Sequence, residues 1–121
     1  MSFPACKNEL MALHTEEQKK ELCEHCPIAR TADLIGDSWS LLIVRDLLKG
    51  AKRFSDLAGS LSGISTRTLT KKLQLLEEEK ILTRKQFSEK PPRVEYSLTD
   101  KGRAFRSIIT LMRKYGEKYP D

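Results

Sequence analysis

Ile64-Ser65-Thr66-Arg67-Thr68-Leu69-Thr70-Lys71-Lys72-Leu73-Gln74-Leu75-Leu76 opens the stretch that decides the fold. The stretch continues through Ile81-Leu82-Thr83-Arg84-Lys85-Gln86-Phe87 to Arg93-Val94-Glu95-Tyr96-Ser97-Leu98. Ser65 is a good N-cap, and the residues after it follow a helical period. At about 100° per residue, Leu69, Leu73 and Leu76 share one narrow face. Arg67, Thr70, Lys71 and Gln74 fall on the opposite one, which carries no carboxylate until Glu78. Cations and hydrogen-bonding groups of these kinds reach phosphates and base edges. The same pattern on an isolated helix would also suit an ordinary solvated surface, so the residues that follow carry weight.

After the acidic end Glu77-Glu78-Glu79 come two short segments separated by Ser88-Glu89-Lys90-Pro91-Pro92. In the second, Val94, Tyr96 and Leu98 alternate with Arg93, Glu95 and Ser97, the period of a half-buried strand. The proline pair breaks the ribbon at its tip, so the turn is long and projects. A helix with a cationic outer face, followed by a hairpin tipped with Lys90 and Arg93, is the layout of a winged helix-turn-helix. The expected fold is mostly α, of the α+β class, with a small β-hairpin wing. Double-stranded DNA is the expected partner.

Size and composition agree. A chain of 121 residues, 39% apolar and 32% charged, fits one domain with a modest core and apolar surface left for a partner. No apolar run approaches the ~20 residues of a membrane span, and the first residues lack the hydrophobic segment of a signal peptide. These features predict a cytoplasmic protein with no membrane partner. The net charge of +5 is unevenly spread: residues 1–30 carry 4 Lys/Arg against 5 Asp/Glu, whereas residues 49–93 carry 11 against 5. The positive charge therefore gathers in the helix-and-hairpin region, as a nucleic-acid footprint would. Three cysteines, Cys6, Cys23 and Cys26, argue against a structural disulfide framework.

Taken in order, the chain begins with an arm of mixed character. Thr15-Glu16-Glu17-Gln18 is a capping-box pattern that predicts a short polar helix from Glu16 to about Cys23. Cys26-Pro27 opens a second helix, with Cys26 at the N-cap and proline at the first helical position. Ile28, Ala32, Leu34 and Ile35 are its expected buried residues, and Gly36 ends it. Asp37 or Ser38 caps the next helix, Trp39 to Lys49, which is apolar on most sides and is expected at the centre of the core. Lys52-Arg53-Phe54 is short enough to pair as a third strand beside the hairpin. Ser55 to Leu61 is the first helix of the helix-turn-helix, and the turn contains Gly63. Thr99 and Asp100 begin a final helix whose residues Phe105, Ile108, Ile109, Met112 and Tyr115 recur at helical spacing. That stripe packs on its own domain or pairs with a second copy. A two-fold protein reads two half-sites, which favours a homodimer. The predicted organisation is an N-terminal dimerisation arm and helix (1–25), a DNA-binding core (26–98) and a C-terminal dimerisation helix (99–121).

Cys26-Pro27-Ile28 followed by Ile35-Gly36-Asp37-Ser38-Trp39-Ser40-Leu41-Leu42-Ile43-Val44-Arg45-Asp46-Leu47 resembles the opening of HxlR-type bacterial transcriptional regulators. So do Arg53-Phe54-Ser55-Asp56-Leu57, Gly63-Ile64-Ser65, and above all Pro91-Pro92-Arg93-Val94-Glu95-Tyr96-Ser97-Leu98-Thr99. The resemblance runs from about Cys26 to Tyr115 in unbroken order. Ser38 stands where lysine is common in that family, a departure away from the DNA-facing region. The resemblance implies a homodimeric regulator related to the MarR type, acting on a roughly palindromic operator. In some members a cysteine at the position of Cys26 senses oxidants, quinones or aldehydes.

Within this frame Arg67 and Lys71 are expected at phosphates or guanine edges, with Ser65, Thr66, Thr70 and Gln74 supplying hydrogen bonds. Lys90 and Arg93 belong to the wing and are expected to contact phosphate or the minor groove, and Arg53 is a candidate backbone clamp. Cys26 is the candidate redox sensor for a small electrophile or oxidant. Unpaired N–H groups and the positive end of the helix dipole face a thiol there, and the thiolate is the species that reacts. Cys23 and Cys6 are candidate resolving thiols. Several alternatives stay open. Cys26 would also serve as a merely capping residue in a constitutive regulator. Cys23-Glu24-His25-Cys26 has the spacing of a zinc knuckle that Cys6 and His14 would complete, but a second Cys-x2-Cys or His pair is missing, so no metal is expected. Cys26 with His14 or His25 imitates a thiol nucleophile and base, yet no third group orients them; neither an enzyme nor a cofactor is implied. A winged-helix protein-interaction module that has lost DNA binding is the remaining rival, against which the cationic face from Ser65 to Gln74 argues.

Overall fold

The computed structural model describes residues 16–121, which form seven helices and three strands. The chain divides after Leu41 into two compact units. In the first, α1 (Glu16–His25) packs against α2 (Pro27–Ile35). The two helices are separated by Cys26, whose extended backbone and side-chain cap start α2, with Pro27 in the first helical turn. Burial in α2 concentrates in its second half, at Asp33 and Ile35. Ile28, expected inside, is 80% exposed; it sits in the first turn, where no described element covers it. Gly36 ends α2 in an ordinary right-handed conformation, its N–H bonded to the carbonyl of Ala32. The third helix, α3 (Ser38–Leu47), is capped by Asp37, whose Oδ1 accepts from the Ser40 N–H at 2.9 Å. Its residues beyond Leu41 belong to the second unit.

The second unit holds the core. Ile43, Val44 and Leu47 of α3 are buried with Leu57, Leu61, Leu69, Leu73, Leu76, Ile81, Leu82, Leu98, Phe105 and Ile109. Each such side chain contributes about 1.5–3 kcal/mol by leaving water. After α3 the chain forms β1 (Lys52–Arg53), α4 (Phe54–Ser60), α5 (Thr66–Glu78), β2 (Leu82–Phe87), β3 (Arg93–Leu98), α6 (Asp100–Arg103) and α7 (Arg106–Lys118). The sheet is antiparallel in the order β1-β3-β2, so Lys52 and Arg53 do supply the third strand, while Phe54 begins α4 instead. Gly63, at φ 90°, takes the left-handed turn that leads from α4 to α5.

A tight corner joins the end of α5 to the start of α6. Lys80 adopts φ 61°, its N–H bonds to the Glu77 carbonyl, and the Ile81 N–H reaches back to Leu76 at 2.9 Å. This is a Schellman stop, with buried Leu76 and Ile81 as its apolar pair. The Thr99 hydroxyl donates to the carbonyls of Lys80 and Ile81 while accepting from the Gly102 N–H. Gly102 lies so close to the Ile81 carbonyl that a Cβ there would collide with it.

Two further expectations need correction. The single C-terminal helix is two, broken at Ala104 and Phe105, where the Phe105 N–H bonds to Gly102 in a tighter turn. The corner fixes the direction of α6, and the break lets Phe105 and Ile109 bury. Secondly, β3 does not alternate in burial: Arg93 to Ser97 are all half-buried, and only Leu98 at the root is buried. As the middle strand, β3 is flanked on both sides, and charged and aromatic side chains cover the face that alternation would leave wet. Among the described residues no helix is long and apolar enough to cross a membrane.

Candidate nucleic-acid interface

The helix-turn-helix consists of α4, the turn at Ser62-Gly63, and α5. Leu69, Leu73 and Leu76 pin α5 to the core, and α5 packs on β2. That orientation leaves Thr66, Arg67, Thr70, Lys71 and Gln74 exposed, as their angular positions require. Lys72 is the cation of this helix that turns inward, and it is buried. Ser65 is exposed too, but its hydroxyl is engaged: Oγ accepts from the Thr68 N–H at 3.1 Å and donates to Thr68 Oγ1 at 2.9 Å. Its contribution to a ligand therefore runs through the helix N-terminus it shapes. Arg53 precedes α4; its N–H is held by Asp56 Oδ2 at 2.9 Å and its side chain is exposed.

The hairpin follows the register Leu82↔Leu98 through Phe87↔Arg93, closed by the five-residue turn 88–92. Alternation along each strand puts Lys85, Phe87, Arg93 and Glu95 on one face. Lys90 is exposed at the tip. Arg93, by contrast, is half-buried. Its guanidinium lies 4.3 Å from the Phe87 ring centre, with Nη2 3.2 Å from Glu89 Oε1 and Nε 3.2 Å from Glu95 Oε2. The Lys85 ammonium sits over the same ring at 4.9 Å. Lys85, Phe87, Glu89 and Glu95 were missed as partners in the wing. Counting outward from the five-residue turn pairs Phe87 with Arg93 and Lys85 with Glu95, which is the signal that would have found them.

At the start of α2, Cys26 is half-buried with a free thiol, and its Sγ accepts from the Ala29 N–H at 3.4 Å. His25 beside it is exposed and Arg30 half-buried. Cys6 and His14, and the side chain of Cys23, lie outside the described residues, as does any zinc or disulfide arrangement involving them.

Residues 34–121 match the family model described as HxlR-like helix-turn-helix. The chain belongs to the HxlR family of helix-turn-helix transcriptional regulators. It is 44% identical over 94 residues to the HTH-type transcriptional regulator sll1512 of Synechocystis, covering 78% of this chain and 70% of that one. It is 39% identical to YdeP of Bacillus subtilis, over 81% of this chain and 77% of that relative. Among solved structures, the redox regulator HypR in its oxidised form superposes with a TM-score of 0.76 at 36% identity, covering 79% of this chain and 99% of HypR. A MarR-family regulator of Porphyromonas gingivalis superposes equally well, with a TM-score of 0.76 at 33% identity over 79% of this chain and 94% of that one. The winged-helix architecture of an HxlR regulator thus accounts for α4, α5 and the hairpin. Cys26 lies ahead of the matched segment.

Proposed function

We propose that this HxlR-family chain is a sequence-specific regulator that binds a palindromic operator as a homodimer. In this reading α5 enters the major groove, where Arg67 and Lys71 meet guanine edges or phosphates and Thr66, Thr70 and Gln74 add hydrogen bonds. Lys90 on the wing and Arg53 ahead of α4 approach the phosphate backbone. The observation that carries the proposal is the exposed face of α5 from Thr66 to Gln74, free of carboxylates and opposite the buried Leu69, Leu73 and Leu76. The C-terminal residues 99–121 contribute the dimer contact, which the exposed Leu111, Met112 and Tyr115 of α7 support; residues 1–15 of the N-terminal arm assigned the same role lie outside the described residues.

Cys26 is the proposed regulatory thiol, and cytoplasm its setting. Modification of Sγ by an oxidant or electrophile converts the thiol into a bulkier group beside the Ala29 N–H it now caps, loosening the start of α2. The similarity to HypR, a redox regulator, supports the same idea. The test is a gel shift with DNA flanking the chain's own gene, with and without diamide, over a series of salt concentrations. Specific binding that weakens steeply with salt is expected. Binding that ignores salt would count against the α5 interface, and release by diamide would support the switch.

A further inference from the structure

The wing contains four side chains that hold one another. Phe87 and Arg93 close the hairpin as the last cross-strand pair, and Lys85 and Glu95 form the next pair inward. On the other edge of β3, Arg53 of β1 also stands opposite Glu95. Arg93 is the hub. It stacks on the Phe87 ring and spans Glu89 in the turn and Glu95 in the strand, with about 29% of its side chain accessible. The Glu89 N–H, in turn, bonds to the Phe87 carbonyl at 2.9 Å. An arginine that pairs with two carboxylates and stacks on a ring has its charge neutralised within the wing rather than by a duplex, although its buried Nε lacks hydrogen-bond geometry to Glu95.

We infer that Arg93 is a positioning residue of the wing: with Phe87, Glu89 and Glu95 it fixes the hairpin tip so that Lys90 meets the DNA backbone. The inference rests on the DNA-binding reading above and revises the expectation that Arg93 itself touches DNA. It also explains two carboxylates in a region that otherwise repels none of a polyanion. Glu89 and Glu95 would weaken DNA binding by their charge; here they strengthen it by holding Arg93.

That inversion of sign is the test. The probe is a duplex selected by the full-length wild-type chain from a random-sequence library, and affinity is read by fluorescence anisotropy across a salt series. Far-UV circular dichroism and thermal melting establish that each variant folds. Glu95→Gln removes a negative charge beside DNA, so plain electrostatics predicts tighter binding. The clamp predicts weaker binding, by roughly threefold to tenfold given the usual strength of exposed ion pairs and cation–π contacts. Arg93→Gln should weaken binding by a similar factor while leaving the salt slope unchanged, and the double variant should be no worse than Arg93→Gln alone. Lys90→Ala should instead reduce the slope by about 0.9, the loss of one phosphate contact.

Arg93→Lys separates the roles further. A lysine still serves a phosphate, but it cannot bridge two carboxylates and stack on a ring, so the clamp predicts that it fails to restore affinity. Tighter or unchanged binding by Glu95→Gln overturns the inference. So does a loss of salt slope in Arg93→Gln that Arg93→Lys restores. If the wild type selects no duplex at all, the DNA-binding reading fails first and the inference falls with it.

Discussion

Arg67 and Lys71 stand one turn apart on the exposed side of α5, and their consequences for binding differ by chemistry. A guanidinium placed bidentate on a guanine contributes about 1–3 kcal/mol of discrimination, whereas a phosphate contact by an ammonium is indifferent to sequence. Arg67→Ala should therefore weaken binding to the selected duplex and relax preference at one base pair in each half-site. Lys71→Ala should weaken binding to all duplexes alike and lower the salt slope by about 0.9. Both side chains are exposed, so the melting temperature should stay near wild type. Competition assays with single-base variants of the duplex distinguish the two; equal loss across all variants for both substitutions would assign both residues to phosphate. Cys26→Ser tests the other candidate. A hydroxyl caps α2 at least as well as the thiol that now accepts from Ala29. The variant should bind DNA normally and lose any response to diamide, and a response that persists would remove Cys26 from the switch.

At the level of elements, the corner after α5 makes a prediction about stability rather than binding. Lys80 occupies the left-handed region at φ 61° inside a Schellman stop where glycine is the usual occupant. A side chain there costs about 1 kcal/mol, part of which glycine gives back through its freer unfolded chain. Lys80→Gly should raise stability by up to about 1 kcal/mol, a shift of a few degrees in the thermal midpoint, with DNA affinity little changed. A lower midpoint would mean that the Lys80 side chain makes a compensating contact. The same corner shows what the sequence could and could not reveal. Helix starts were legible because Ser65, Asp37 and Cys26 act on N–H groups within the next turn. The leucine stripe of α5 was legible because a helix converts spacing directly into a face. The stop at Lys80 was not, since lysine carries no turn signal, and neither was the break between α6 and α7. Gly102, which precedes that break, also meets the Ile81 carbonyl, a contact distant in sequence. The candidate interface divides in the same way: the exposed residues of α5 follow from periodicity, whereas the environment of Arg93 depends on hairpin register and on a turn residue, Glu89.

For the whole molecule, the decisive question is what covers α7. Phe105 and Ile109 face the core, but Leu111, Met112, Tyr115 and Tyr119 are 64%, 49%, 68% and 54% exposed. A continuous apolar stripe of that kind is unusual on a lone chain and is normally an interaction surface. A second copy suits it for a reason set by the DNA. One α5 reads only a few base pairs, and a palindromic site with two half-sites requires two such helices related by a two-fold axis. In an isologous contact each substitution occurs twice at or near the axis. Leu111→Glu and Tyr115→Glu would therefore each place two unpaired carboxylates in an apolar contact, at a cost of at least about 3 kcal/mol, or roughly a hundredfold in the dimer dissociation constant. Since both side chains are exposed within one chain, its own fold should survive. The expected result in analytical ultracentrifugation is a folded monomer, and in anisotropy a weak, half-site level of binding that no longer depends on the spacing between half-sites. A variant that remains dimeric would move the contact to another surface. A variant that becomes monomeric yet still binds the full palindrome tightly would break the link between α7 and operator recognition, because avidity from two tethered reading heads is what the monomer must lose.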